Sequence, residues 1–97
     1  MKFVCASALS AMLLATQAQA NPVLLAFDAS SACRAAVDTS VVYLKSTKKS
    51  GANGVRLQFK KVKGSSASNA DYRKEKDAFL ACIKERLAPH SVEVKSN

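Results

Sequence analysis

The sequence has one histidine, no C-x-x-C pair, no G-x-S-x-G elbow and, between Asp38 and Asp71, not one acidic residue. Each absence removes a class of function. His90 follows Pro89 at the exit of an expected helix, and it has no second group titrating near neutrality to work with, so it reads as a surface loop residue. Without the elbow, no serine is placed for nucleophilic attack. Gly51, Gly54 and Gly64 fall in turn segments and make no phosphate-cradling loop. The cysteines and His90 are too far apart in sequence to show the ligand spacing of a zinc site. Without C-x-x-C there is no reactive dithiol. No cofactor, no metal and no catalytic residue is therefore expected. The chain also lacks an N-x-S/T acceptor and internal repeats.

What is present begins with the first twenty residues. Lys2 supplies a short positive region, Phe3 to Ala15 is apolar or small, and Ala18-Gln19-Ala20 is an A-x-A cleavage pattern followed by Asn21-Pro22. The apolar run is too short to span a bilayer core of roughly 30 Å. Residues 1–20 thus read as a secretory signal peptide, cut after Ala20, and residues 21–97 as a single small exported domain of 77 residues. The alternative is an uncleaved N-terminal anchor. No transmembrane segment is expected after residue 20, and the domain is expected to be a monomer. The location is extracellular, or periplasmic if the source is bacterial.

Export bears on the cysteines. Cys5 lies in the leader, which leaves Cys33 and Cys82. A chain this short buries only a modest fraction of its surface and gains from a covalent staple. An oxidising compartment preserves one. An intramolecular Cys33–Cys82 bond is expected, with two buried thiols or an intermolecular bridge as the alternatives. In the chain-entropy description such a bond is worth about 4 kcal/mol.

The apolar run Val23–Phe27 suits a buried strand, with Asp28 as the N-cap of a short helix whose stripe is Ala29, Ala32, Cys33, Ala36 and Val37. Residues 39–47 are β-branched and aromatic and predict a strand. Asn53-Gly54 marks a turn. Val55, Leu57 and Phe59 alternate with Arg56, Gln58 and Lys60 in the clearest strand of the chain. Val62 falls on the opposite phase, which predicts a bulge near Lys60-Lys61. Residues 64–69 form a polar linker, and a longer helix follows over 70–87 with Tyr72, Phe79, Cys82, Ile83 and Leu87 near one face. Val92 and Val94 alternate with Glu93 and Lys95 in a last strand. The expected fold class is α+β. It is a two-layer split β-α-β-β-α-β sandwich (ferredoxin-like), an antiparallel sheet with two helices on one face linked by the disulfide.

This layout resembles that of fungal-virus killer toxins and of some small secreted fungal effectors, and also that of prodomain-type subtilisin inhibitors. The resemblance is one of architecture over residues 21–97, with no motif carried over. It implies proteins that act by binding.

Charge is the strongest functional signal. Setting Lys2 aside leaves 14 Lys and Arg against 7 Asp and Glu, a net charge of +7. Lys45, Lys48, Lys49, Arg56, Lys60, Lys61 and Lys63 all fall in the acid-free stretch, and elsewhere the two signs cancel. These seven residues are the candidate site for an anionic partner: a phospholipid headgroup of a cell surface, an acidic glycan, a nucleic acid or an acidic protein. The competing interpretation is a solvated hairpin whose lysines protect an edge. Lysine outnumbers arginine six to one there, which favours diffuse attraction over bidentate recognition. Sequence-specific nucleic-acid binding is not expected. No R-G-F-x-F-type motif occurs, Phe59 shares the core-facing phase, and Tyr43 and Tyr72 are expected in core or rim packing. The function expected is that of a small secreted cationic binding protein, effector- or toxin-like. The alternatives are a protease inhibitor that presents an exposed strand or the segment 91–97, and a periplasmic accessory or stress protein.

Overall fold

The computed structural model describes residues 21–97, and the expected leader lies outside them. The first element corrects the expected topology. Residues Pro22–Ala36 form one helix, α1, so Val23–Phe27 is helix and not strand. The cap is Asn21 and not Asp28: Asn21 Oδ1 accepts from the Val23 N–H at 2.9 Å, and Pro22 takes the first helical turn, where a missing N–H costs nothing. A five-residue apolar run has no periodicity of its own to separate strand from helix. Here Ala26 joins Ala29, Ser30 and Cys33 on one buried stripe, at i, i+3, i+4 and i+7. Leu24 and Phe27 point away from that stripe and are 60 % and 50 % exposed. The Ser30 hydroxyl, buried with the stripe, donates back to the Phe27 carbonyl at 2.9 Å.

The remaining elements are β1 (Val42–Lys49), β2 (Gly54–Lys61), α2 (Asn69–Leu87), a 3₁₀ turn (Ala88–His90) and β3 (Glu93–Ser96). The order is α-β-β-α-β, not β-α-β-β-α-β, and the sheet has three strands in the order β1-β2-β3. It is mixed and not antiparallel: β1 and β2 form an antiparallel hairpin, and β3 runs parallel to β2. A parallel neighbour cannot be reached by a tight turn, and α2 supplies the crossover. The toxin-like and inhibitor-like layouts share a four-stranded arrangement that this chain does not form. The α+β class, the two helices and the Cys33–Cys82 disulfide are as expected.

Val55, Leu57 and Phe59 turn one face of β2 into the core, where they meet Ala26, Ala29 and Cys33 of α1 and Phe79, Ile83 and Leu87 of α2. Phe59 and Phe79 meet edge to face, with ring centroids 5.5 Å apart and planes at 63°. Both helices therefore cover the same side of the sheet. Ser68 caps α2 by accepting from the Asp71 N–H, and Lys84 and Arg86 sit in its last turn, where positive charge suits the helix dipole. Glu75 ties α2 to the entry of β1. Its carboxylate accepts from the Val41 N–H at 2.8 Å and from the Ser40 hydroxyl at 3.0 Å. Burial raises the pKa of the Tyr72 phenol above 10.0. Its packing contribution is present below pH 10 and is lost as pH climbs through the raised value.

The bulge is real but lies elsewhere. The β1–β2 register shifts between Leu44 and Ser46, leaving Lys45 unpaired, while Lys60 and Lys61 stay in register with Tyr43 and Val42. The cause is the apolar phase of β1, which changes from Val42 and Leu44 to Thr47. One extra residue lets all three face the helices. The hairpin turn also differs from the expected one. Gly51 carries the positive φ of +70°, and Gly54 is the first residue of β2.

Gly54 is needed for a different reason. A Cβ there would lie 2.4 Å from the Ser50 carbonyl oxygen and 3.1 Å from that of Glu93, and neither backbone atom can step aside. Gly54→Ala is expected to cost about 1–3 kcal/mol by overpacking and to loosen β3 as well as the turn. Gly64→Ala, in open space at φ +83°, carries only the left-handed penalty, about 1–2 kcal/mol. Urea midpoints together with amide exchange over residues 93–96 separate the two, because only the Gly54 variant should lose protection in β3.

Candidate anion-binding face

Residues directly opposite one another in neighbouring strands share a face of the sheet. The face away from the helices therefore holds Tyr43 opposite Lys60, Ser46 opposite Gln58, and Lys48 opposite Arg56 on the hairpin. It then continues onto β3, where Lys95 stands opposite Arg56. Lys48, Arg56 and Lys95 thus form a row of three cations across three strands, at a strand spacing of roughly 4.8 Å. All three are exposed. The Ser46 hydroxyl and the Gln58 side-chain oxygen are hydrogen-bonded at 3.3 Å beside the row. Ser46, Lys48, Arg56, Gln58 and Asn97 line a shallow hollow of about 240 Å³.

Like charges directly opposite in a sheet oppose its formation by a few tenths of a kcal/mol to about 1 kcal/mol each. The one ion pair among the described residues is Lys95 with Glu93 of the same strand, at 3.6 Å and solvent-exposed at both ends. An exposed pair of this kind contributes little. Lys48 and Arg56 have no acidic partner within salt-bridge distance among the described residues. The face therefore presents the Lys48 ammonium and the Arg56 guanidinium, which have no salt-bridge partner among the described residues, together with the amide N–H donors of Gln58.

The seven candidate residues divide by position. Lys48, Arg56 and Lys60 lie on the open face. Lys45 is the bulged residue and is exposed at the outer edge of β1. Lys49 and Lys61 pair with Val55 and Val42, at the rim of the helix-covered side, and Lys61 is half-buried. Lys63 is exposed in the turn after β2. The hairpin therefore does not gather all seven into one patch.

Lys95 was not among the candidates. Its alternation with Val94 is visible in the sequence, but its place beside Arg56 depends on the parallel pairing of β3. Tyr43, expected in packing, is 43 % exposed on the open face. The segment 91–97 is not free to enter an enzyme cleft. Its strand pairs with β2, and the Asn97 side chain extends the ladder, accepting from the Phe59 N–H at 2.9 Å and donating to the Phe59 carbonyl at 3.0 Å. The Lys76 ammonium also donates to the Asn97 carbonyl oxygen.

No family model matches the chain, and neither a curated protein nor a solved structure is significantly similar to it. Among the described residues, no helix is long and apolar enough to cross a membrane.

Proposed function

We propose that this is an exported cationic binding protein that engages an anionic surface or partner through its basic hairpin, and that it acts by binding and not by catalysis. The observation that carries this reading is the in-register row Lys48–Arg56–Lys95, whose one ion pair among the described residues is Lys95 with Glu93. Edge protection does not account for it, because Arg56 sits on the central strand, where no edge needs protecting. The export half of the reading rests on the residue pattern of positions 1–20.

Reversing Lys48, Lys49, Lys60 and Lys61 to Glu moves the charge of residues 21–97 from +7 to −1. Lys48, Lys49 and Lys60 are exposed and should each change stability within about 0.5 kcal/mol, and half-buried Lys61, opposite Val42, should account for most of any loss. Binding to vesicles of phosphatidylglycerol and to a sulfated polysaccharide should fall steeply. Wild-type binding should itself weaken as salt is raised from 0.1 to 1 M and the Debye length shrinks from about 10 Å to about 3 Å. Circular dichroism checks the fold. If the fourfold variant binds both probes as well as wild type at low salt, the hairpin is only a solvated surface and the reading fails.

A further inference from the structure

β1 is a border strand. Its inner side pairs with β2, and its outer side meets no strand among the described residues. Beside that outer edge runs a groove of about 510 Å³ between β1 and α1, with Phe27, Ser30 and Arg34 on the helix side and residues 42–47 on the strand side. The groove combines an apolar wall with a polar lining. Phe27 is half-exposed at its wall. Thr47 lines it with a buried hydroxyl that has no hydrogen-bond partner among the described residues.

We propose that this edge takes up an extended peptide as a fourth strand, and that the peptide alternates aliphatic with acidic residues. An added strand gains affinity from main-chain hydrogen bonds and selectivity from alternate side chains. On the helix side, alternate residues of such a strand would lie next to Leu44 and Thr47 and over Phe27, which calls for aliphatic side chains. On the other side they would lie next to Lys48, and the bulged Lys45 is exposed beside the groove, which together call for carboxylates. Charge also decides against a second copy of the chain as the occupant. Two β1 edges brought together would crowd Lys45, Lys48 and Lys49 of one copy close to the same lysines of the other, and lysines and a bulge at an edge oppose that pairing. An acidic strand turns the same lysines from a barrier into an attraction. This site shares Lys48 with the open face and differs from it in the main-chain hydrogen bonds that an added strand would make along β1.

The probe is a fluorescent peptide of alternating valine and glutamate, titrated against the oxidised protein at low salt. Binding is expected, with slowed amide exchange over residues 42–49, and it should weaken as salt is added. Phe27→Ala should lower the affinity by about tenfold, the equivalent of losing part of one aromatic contact. It should leave the fold intact, since Phe27 is half-exposed. The same peptide N-methylated on the amides facing the protein should not bind, and neither should a valine–lysine peptide. Lys95→Gln, on β3 and two strands from this edge, should leave peptide binding at about 0.15 M salt within about twofold while weakening adhesion to the polyanion probes. If the N-methylated peptide binds as well as its parent, no strand is added and the proposal is wrong. It is equally wrong if residues 42–49 become protected by self-association, with rising protein concentration and no peptide present.

Discussion

Cutting the Cys33–Cys82 bond should destabilise the domain by about 2–5 kcal/mol. The bond joins α1 to α2 across 49 residues of sequence, with Cα atoms 5.8 Å apart. A loop of that length corresponds to about 4 kcal/mol of restricted unfolded-state freedom. Cys33 is fully buried, so Cys33→Ala also leaves a small void, whereas Cys82 is only partly buried and Cys82→Ala reports more nearly on the crosslink alone. The effect should be large because the domain has little else to draw on. Its fully buried apolar side chains are few and include small ones at Ala26 and Ala29. A domain of this size shifts its melting temperature by about 4–8 °C per kcal/mol, so Cys82→Ala should melt at least about 8 °C below wild type. Dithiothreitol should reproduce the loss in wild type and leave the variant unmoved. Coincident melting of the oxidised and reduced protein would show that helix packing, and not the crosslink, holds α1 in place.

The second large effect is expected at Phe79. It is fully buried on α2 and makes the edge-to-face contact with Phe59 at the centre of the sheet. Truncation to alanine removes its transfer free energy and leaves a cavity between α2 and β2, a loss of about 3–5 kcal/mol. For a domain of marginal stability this is enough to leave much of the population unfolded. Phe27→Ala removes the same side chain from an exposed position on α1 and should cost well under half as much. A double-mutant cycle over Phe59 and Phe79 should return a coupling of about 0.5–1.5 kcal/mol, read from urea midpoints. Equal losses for Phe79→Ala and Phe27→Ala would mean that the core is not where the structure places it.

Local signals were most readable where a segment carries its own period. Val55, Leu57 and Phe59 face the core as their alternation requires, and the stripe of Phe79, Ile83 and Leu87 holds over more than two turns of α2. The α+β class and the partnership of Cys33 with Cys82 followed from those patterns and from the cysteine count. The run Val23–Phe27 is helix although its pattern suits a strand, because five apolar residues satisfy both. The decisive signal was the pair Asn21-Pro22 in front of it, a cap and a helix-starting proline. The bulge was placed on the wrong strand for a related reason. The phase change between Leu44 and Thr47 is carried by residues of mixed polarity, and only pairing with β2 shows which strand has the extra residue.

The sequence by itself determined the charge, its confinement to the stretch between Asp38 and Asp71, the two pairable cysteines and the alternation that puts Arg56, Gln58 and Lys60 on one side of a strand. These are properties of composition and of local period, and no long-range contact can alter them. Which cations stand together depends on packing and strand pairing. Lys48 reaches the open face because a bulge at Lys45 shifts its phase, and Lys95 reaches Arg56 because α2 carries the chain back to lay β3 parallel to β2. Lys49 and Lys61, equally basic in sequence, are turned toward the rim. Register across strands is set by which apolar side chains the helices must cover. The polar residues are carried to whatever face that packing leaves open.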